Sequence, residues 1–302
     1  MLRLRHLALV PLAAAAPASA HGAADALESG PIGWAPEPWI VVPLLLLACL
    51  YATGAGRLHR RSRLGRGERI QGAGLFASGW LVLAVALVSP LHQSAERSFT
   101  VHMIEHELIM LAAAWLLAAS RPLPVLLWAL PKAWRARVGG LGARPWLSGS
   151  WRFLTDPVAA TVVQAVVLVA WHMPALFDRA LADPYWHVAQ HGAFLAAALL
   201  FWSAMANGRG GRHAFGVAAL CLFATSLVGG LLGALMSFSA SPWYLGYARM
   251  GMTPLGLSPV EDQNLAGLLM WIPGGLVHAG AALWFLYRWM KASEVSNAVA
   301  AQ

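Results

Sequence analysis

The stretch His102-Met-Ile-Glu-His-Glu-Leu-Ile-Met-Leu-Ala-Ala-Ala-Trp-Leu-Leu-Ala-Ala119 holds all of its ionisable groups in its first six residues and is apolar in the remaining twelve. With the residues that precede it, the run is long enough to cross a bilayer as a helix, which takes about 20 residues. His102 and His106 stand four apart and therefore share one stripe of that helix, with Glu105 beside them. Ionisable groups are costly inside a bilayer, so a cluster of them there marks a function by default.

The rest of the chain reads the same way. Its 302 residues are 59% hydrophobic and 11% charged, whereas soluble domains carry roughly 25% charged residues. The apolar runs are continuous rather than alternating, which points to helices and away from a β-barrel. The expected fold is an all-α polytopic membrane helix bundle of about seven transmembrane helices behind an N-terminal signal peptide. The spans are expected at 39–56, 70–89, 99–120, 157–176, 185–206, 214–238 and 264–288.

Residues 1–20 read as the signal peptide: Arg3 and Arg5 open it, Leu7 to Ala16 form its apolar core, and Ala18-Ser19-Ala20 is a cleavage site. An uncleaved anchor is the alternative, but the run is short for a span. Cleavage would leave His21 at the mature N-terminus, where amine and imidazole together can chelate copper. Residues 21–38 then form a periplasmic tail, 39–290 the seven-helix transmembrane domain, and 291–302 a cytoplasmic tail.

The net charge of +8 does not imply nucleic acid, because the basic residues fall in short loops between apolar runs. With an exported N-terminus, the cytoplasmic loops hold the Arg57–Arg69 cluster, the basic residues of 121–152, Arg209, Arg212, Arg288 and Lys291. The opposite face keeps Arg97, Arg179 and Arg249. That asymmetry supports both the number of spans and an inner-membrane orientation with the N-terminus periplasmic and the C-terminus cytoplasmic. Trp39, Trp171, Trp186 and Trp243 are expected at the outer interface, and Trp202, Trp284 and Trp289 at the inner one. Pro124 to Val138 reads as an amphipathic helix resting on membrane lipid. The outer loop 239–263 is rich in glycine and proline and reads as a lid. Gly72, Gly74, Gly79, Gly229, Gly230 and Gly233 read as close helix packing. Cys49 and Cys221 lie in separate apolar runs and suggest no disulfide framework.

This topology sets further histidines at the level of His102 and His106. His172 ends span four in Trp171-His172-Met173-Pro174, and His187 and His191 form a second i,i+4 pair at the start of span five. His92 falls just outside, in the loop before span three. His6, His59, His213 and His278 do not belong to the set. Imidazole is the commonest protein ligand for transition metals and suits copper, zinc, iron and nickel alike. His102, His106, His172, His187 and His191 are therefore the expected metal ligands. Glu105, or Glu107, can orient a ligand from behind. Met103, Met173, Met250 and Met252 would favour Cu(I) if they joined, although core or lipid packing accounts for each of them. Asp262, in Glu261-Asp262-Gln263-Asn264, is either a group linked to the histidines or a cap of span seven.

Two other chemistries fit parts of the pattern. His102-x-x-Glu105-His106 matches the H-x-x-E-H of inverted zinc peptidases, though the extra histidines would overfill a catalytic zinc. Haem held by His106 with His172 or His191 is a second alternative; the absence of CxxCH excludes covalent c-type haem.

Taken in order, the quoted opening of span three, Ser120-Arg121-Pro122-Leu123 at its end, Trp171-His172-Met173-Pro174, His187-x3-His191, Glu261-Asp262-Gln263-x2-Ala266-Gly267 and Met270-Trp271-Ile272-Pro273-Gly274 resemble the CtaG family of multi-span cytochrome c oxidase assembly factors linked to caa3-type oxidases. The resemblance implies a non-enzymatic role in maturing a haem–copper oxidase at the outer face of a bacterial inner membrane. Its subunits, with a periplasmic copper chaperone as a further candidate, are the implied partners. Copper held by the histidines is the expectation. A copper transporter is the rival, for which His278 is the one obvious deep group, and the zinc hydrolase is another.

Overall fold

Proline sets where many of the helices begin. The computed structural model describes residues 32–34, 36–61, 65–206 and 212–300, and among them it is helical with no strand. The expected signal peptide, and the tail as far as residue 31 with His21, lie outside the described residues. The elements are α1 (Pro38–Arg61), α2 (Arg66–Val88), α3 (Pro90–Ala95), α4 (Phe99–Glu107), a π-helical turn (Leu108–Ala113), α5 (Ala114–Ala119), α6 (Pro122–Ala129) and α7 (Lys132–Gly142). They continue as α8 (Pro145–Leu154), α9 (Pro157–Trp171), α10 (Pro174–Ala182), α11 (Pro184–Ala206), α12 (Arg212–Ser237), α13 (Leu245–Met250) and α14 (Pro259–Ala300). Proline is favoured at a first helical position because its missing N–H has no partner there and its φ already suits the helix.

Six of these helices, with α4, the π turn and α5 counted as one, are long and apolar enough to cross a membrane. The α8–α9 pair, bent by 68°, brings the number to seven. Their surfaces are those of a bundle in lipid. On α12, Leu220, Phe223, Leu227, Leu231 and Leu235 are exposed at helical spacing, and on α9 Val158, Val162 and Val166 are too. In water such stripes would drive association. The buried side carries the polar groups, including His102, Glu105, Gln164, Gln190 and Asp262, each about 1% exposed or less.

Several boundaries differ from the sequence expectation. Span four was expected to run to 176, but it stops at Trp171. Pro174 excludes a helical conformation at Met173, which is extended at φ −65 and ψ 131, and starts α10 instead. The lipid-resting helix expected at 124–138 is cut at Leu130–Pro131 into α6 and α7, because Pro131 cannot continue the hydrogen-bond ladder. Arg57 closes the end of α6: its Nη1 donates to the carbonyls of Trp128, Ala129 and Leu130 at 3.2, 2.5 and 3.2 Å. Span seven starts at Pro259, earlier than expected, and runs through Pro273. The loop expected at 239–263 contains a helix, α13. Trp202, expected at an interface, is buried; its indole N–H donates to the Met110 carbonyl in the π turn at 2.9 Å. A π turn offsets the helix by one residue, so the apolar half of span three faces a direction rotated by about 100° from the one an unbroken helix would give.

α12 and α14 pack backbone to backbone. A Cβ on Gly233 would lie 2.7 Å from the Gly267 carbonyl oxygen, and one on Gly267 would lie 2.5 Å from the Gly233 oxygen. Contact of this kind between backbones supplies packing that apolar side chains alone cannot give in lipid. Gly267→Ala is expected to lower stability by about 1–3 kcal/mol through overpacking. Gly74→Ala, with nothing within 4 Å of its added carbon, should change little. Thermal unfolding of the two variants in detergent makes the comparison.

Candidate metal centre

The helix that carries His102 and His106 is capped from a distant part of the chain. Asp262, in the first turn of α14, accepts hydrogen bonds from Ser98 Oγ at 2.8 Å, Phe99 N at 2.6 Å and Thr100 N at 3.2 Å. Thr100 Oγ1 donates to the Asp262 carbonyl at 2.9 Å. Free N–H groups at a helix start, together with the positive end of its dipole, favour a carboxylate there. Asp262 thus caps α4 rather than its own helix. α14 is capped locally, by a box in which Ser258 Oγ donates to Glu261 Oε2 at 2.7 Å while Ser258 N also donates to Glu261 at 2.9 Å.

On that scaffold the two i,i+4 pairs face each other. The Nε2 atoms of His102 and His106 are 2.9 Å apart, and those of His187 and His191 are 3.2 Å apart. Across the α4–α11 contact, the rings of His102 and His187 stack at 5.3 Å between centroids, and His106 meets His191 edge-on at 5.1 Å. All four are buried. Ligand nitrogens around one ion at a bond length of about 2.0 Å lie about 3 Å apart, so the spacing within each pair is that of two ligands of one ion.

His172 stands at the rim of this set. Its centroid is 6.3 Å from that of His106 and 5.8 Å from Phe194. Its Nδ1 donates to the Leu168 carbonyl at 2.7 Å, and its Nε2 is buried without a hydrogen-bond partner. Glu105 lies in the middle and is fully buried. Its Oε1 is 2.7 Å from His92 Nδ1 and 3.8 Å from His191 Nδ1, and its Oε2 has no hydrogen-bond partner.

Three members were missed or misplaced in the sequence. His92, set aside as a loop residue, is buried on α3 with its ring 5.3 Å from that of His187. The signal was Ser89-Pro90, a helix start: Ser89 Oγ accepts from Leu91 N at 3.3 Å. Tyr247, on α13, has its hydroxyl 3.0 Å from His102 Nδ1 and donates to the Ala95 carbonyl at 2.7 Å. Nothing local in the sequence marks it. Gln190 sits between His187 and His191, buried, with neither amide atom partnered. Among the methionines, Met103 is in the core while Met173 and Met252 are exposed. Glu107 and His278 form a separate polar spot around Gly274: a Cβ there would meet Glu107 Oε2 at 3.0 Å, and His278 Nδ1 donates to the Gly274 carbonyl at 2.8 Å.

These partners assign the tautomers. Burial, with the fields of Asp262 and Glu105, raises the Tyr247 phenol well above its ordinary range, so it keeps its one proton and gives it to Ala95. It therefore accepts from His102 Nδ1–H, and the lone pair of His102 is on Nε2. The bond from His172 to Leu168 leaves its lone pair on Nε2 likewise. Burial of His92 works against its charge, but the hydrogen bond and charge of Glu105, with Glu96 and Glu37 nearby, outweigh burial and hold its pKa above the ordinary value. Metal-ligating histidines are characteristically held in this way, by a carbonyl, hydroxyl or carboxylate on the nitrogen that does not bind.

The fold and this centre define a class: a polytopic α-helical membrane protein with an imidazole cluster buried at one end of its bundle. The family model described as cytochrome c oxidase caa3 assembly factor (Caa3_CtaG) matches residues 49–292, and the chain belongs to that family. The matched stretch contains every residue of the cluster. No curated protein and no solved structure matches the chain.

Asp262→Ala removes the carboxylate acceptor from three groups at once and is expected to destabilise by at least the ~1–2 kcal/mol of an ordinary N-cap, read as a lower melting temperature in detergent. Tyr247→Phe frees His102 Nδ1 while keeping the ring. It should leave the melting temperature close to that of the parent and weaken metal binding by about 10- to 100-fold, as loss of a supporting partner typically does; a competition titration against a chelator of known affinity measures it.

Proposed function

We propose that this assembly factor holds copper in the histidine cluster at the periplasmic face of a bacterial inner membrane and passes it to a haem–copper oxidase during assembly. The single observation that carries the reading is the pair of Nε2–Nε2 approaches, 2.9 and 3.2 Å, on facing helices. Each pair of Nε2 atoms can share only one proton between its two rings, whereas a bound ion would accept a lone pair from both. His102, His106, His187 and His191 would hold the copper, with His172 at the rim. Glu105 and Tyr247 act behind them by fixing tautomers.

Several features support the rest of the proposal. The cluster is built from the starts of spans three and five and the end of span four, and the basic loops lie at the opposite helix ends, such as Arg57, Arg60 and Arg61 at the end of α1. Under the positive-inside rule this supports a position for the cluster on the exported side. A periplasmic copper chaperone and oxidase subunits are the partners in this scheme. Imidazole by itself does not choose copper over zinc or iron; the oxidase context of the family favours copper. Copper is cargo in this reading, and the chain's own part is to bind it, shield it from water and release it.

Anaerobic Cu(I) titration of the purified protein tests the proposal. The parent chain should bind copper, and a His102→Ala/His106→Ala variant that keeps its helical content should lose at least half of it. Membranes of cells carrying that variant should show reduced cytochrome c oxidase activity with normal amounts of the factor. A Soret band in the purified protein would move the reading to haem. Zinc as isolated, with hydrolytic activity lost in Glu105→Gln, would move it to an enzyme.

A further inference from the structure

The cluster has more donors than one ion can use. Among the described residues, the ligand atoms of His102, His106 and His191 lie within 4.8 Å of one another, and so do those of His92, Glu105, His187 and His191. The two groups share His191 alone. A transition metal of this class is satisfied by about four ligands, and a neutral imidazole has one lone pair to give. Six donor side chains in two overlapping groups therefore exceed one coordination sphere and fit two.

We propose that the centre offers two adjoining metal positions: an all-imidazole one at His102 and His106, and a mixed one at His92, Glu105 and His187, with His191 between them. This rests on the metal-binding reading above and adds His92 and Glu105 to the ligands expected from the sequence.

The two positions differ in chemistry. The first has three neutral nitrogens and suits Cu(I). The second includes a carboxylate, which brings a negative charge to the ion it holds. Glu105 is placed to serve it: Oε1 is engaged by His92 Nδ1 at 2.7 Å, and the buried Oε2 has no hydrogen-bond partner. With Nδ1 so engaged, His92 has Nε2 left for an ion. Two cations side by side in a buried site repel strongly at low dielectric, and the carboxylate offsets one unit of that charge. Since His191 can complete only one sphere at a time, it links the positions: an ion leaves one set by exchanging its other ligands while His191 stays bound. The arrangement thus supplies a short transfer step within the protein, with no change of oxidation state.

Copper stoichiometry on the full chain in detergent tests this, with the metal alone as probe. The parent protein should bind two equivalents of Cu(I) under anaerobic competition. His92→Ala/Glu105→Gln should bind one, and His102→Ala/His106→Ala should bind one. The single variant Glu105→Gln, which keeps size and hydrogen-bonding capacity, should weaken the second equivalent at least ten-fold and leave the first. Loaded with Cu(II), the parent should give an electron paramagnetic resonance spectrum broadened by a neighbouring ion, with a half-field line, and each double variant an isolated-ion spectrum. One equivalent in the parent, lost in both double variants, would overturn the two-position proposal while leaving the copper reading intact. Two equivalents retained in His92→Ala/Glu105→Gln would also overturn it. No copper in the parent would overturn both readings.

Discussion

An ionisable side chain in a bilayer must find its partners inside the protein. The architecture at the histidine end of the bundle follows from that. His102, His106, His187 and His191 face one another because the alternative is lipid. Tyr247, Leu168 and Glu105 stand within hydrogen-bond distance of the Nδ1 atoms of His102, His172 and His92. Asp262 reaches across to α4 because the first N–H groups of that helix would otherwise be buried without acceptors. The exposed leucines and valines of α12 and α9 are the other side of the same division, apolar outward and polar inward.

Rigidity is what turns this burial into a site. The cross-helix cap fixes the start of α4, the close approach of Gly233 and Gly267 fixes α14 against α12, and the Trp202 bond to Met110 pins the π turn directly below Glu107. Each of these holds the helix that carries half of the imidazoles. π turns recur at functional positions, and here the turn decouples the side chains above it, which face the cluster, from the apolar ones below. Such supports fix the positions of the imidazoles independently of any ion between them.

How much of this could be read from the chain depends on range. Helical periodicity shows which residues share a stripe, so His102 with His106 and His187 with His191 were legible at once, as were the apolar runs and the basic asymmetry of the loops. It does not show which stripes meet. That Asp262 caps a helix more than 160 residues away, or that Tyr247 holds His102, depends on packing between segments. The break at Trp171 was legible in Pro174, a residue whose effect on its predecessor is local, yet the apolar composition of 157–176 hides it. His92 was lost for a related reason: a six-residue helix has too little pattern to stand out, although Ser89-Pro90 announces its start.

In the proposed function, nitrogen from these imidazoles, and not sulfur from the methionines or cysteines, holds copper. X-ray absorption at the copper edge of the loaded protein tests it most directly. The account predicts a first shell of nitrogen at about 2.0 Å with the outer-shell scattering of imidazole rings. A first shell dominated by sulfur at about 2.3 Å would contradict it.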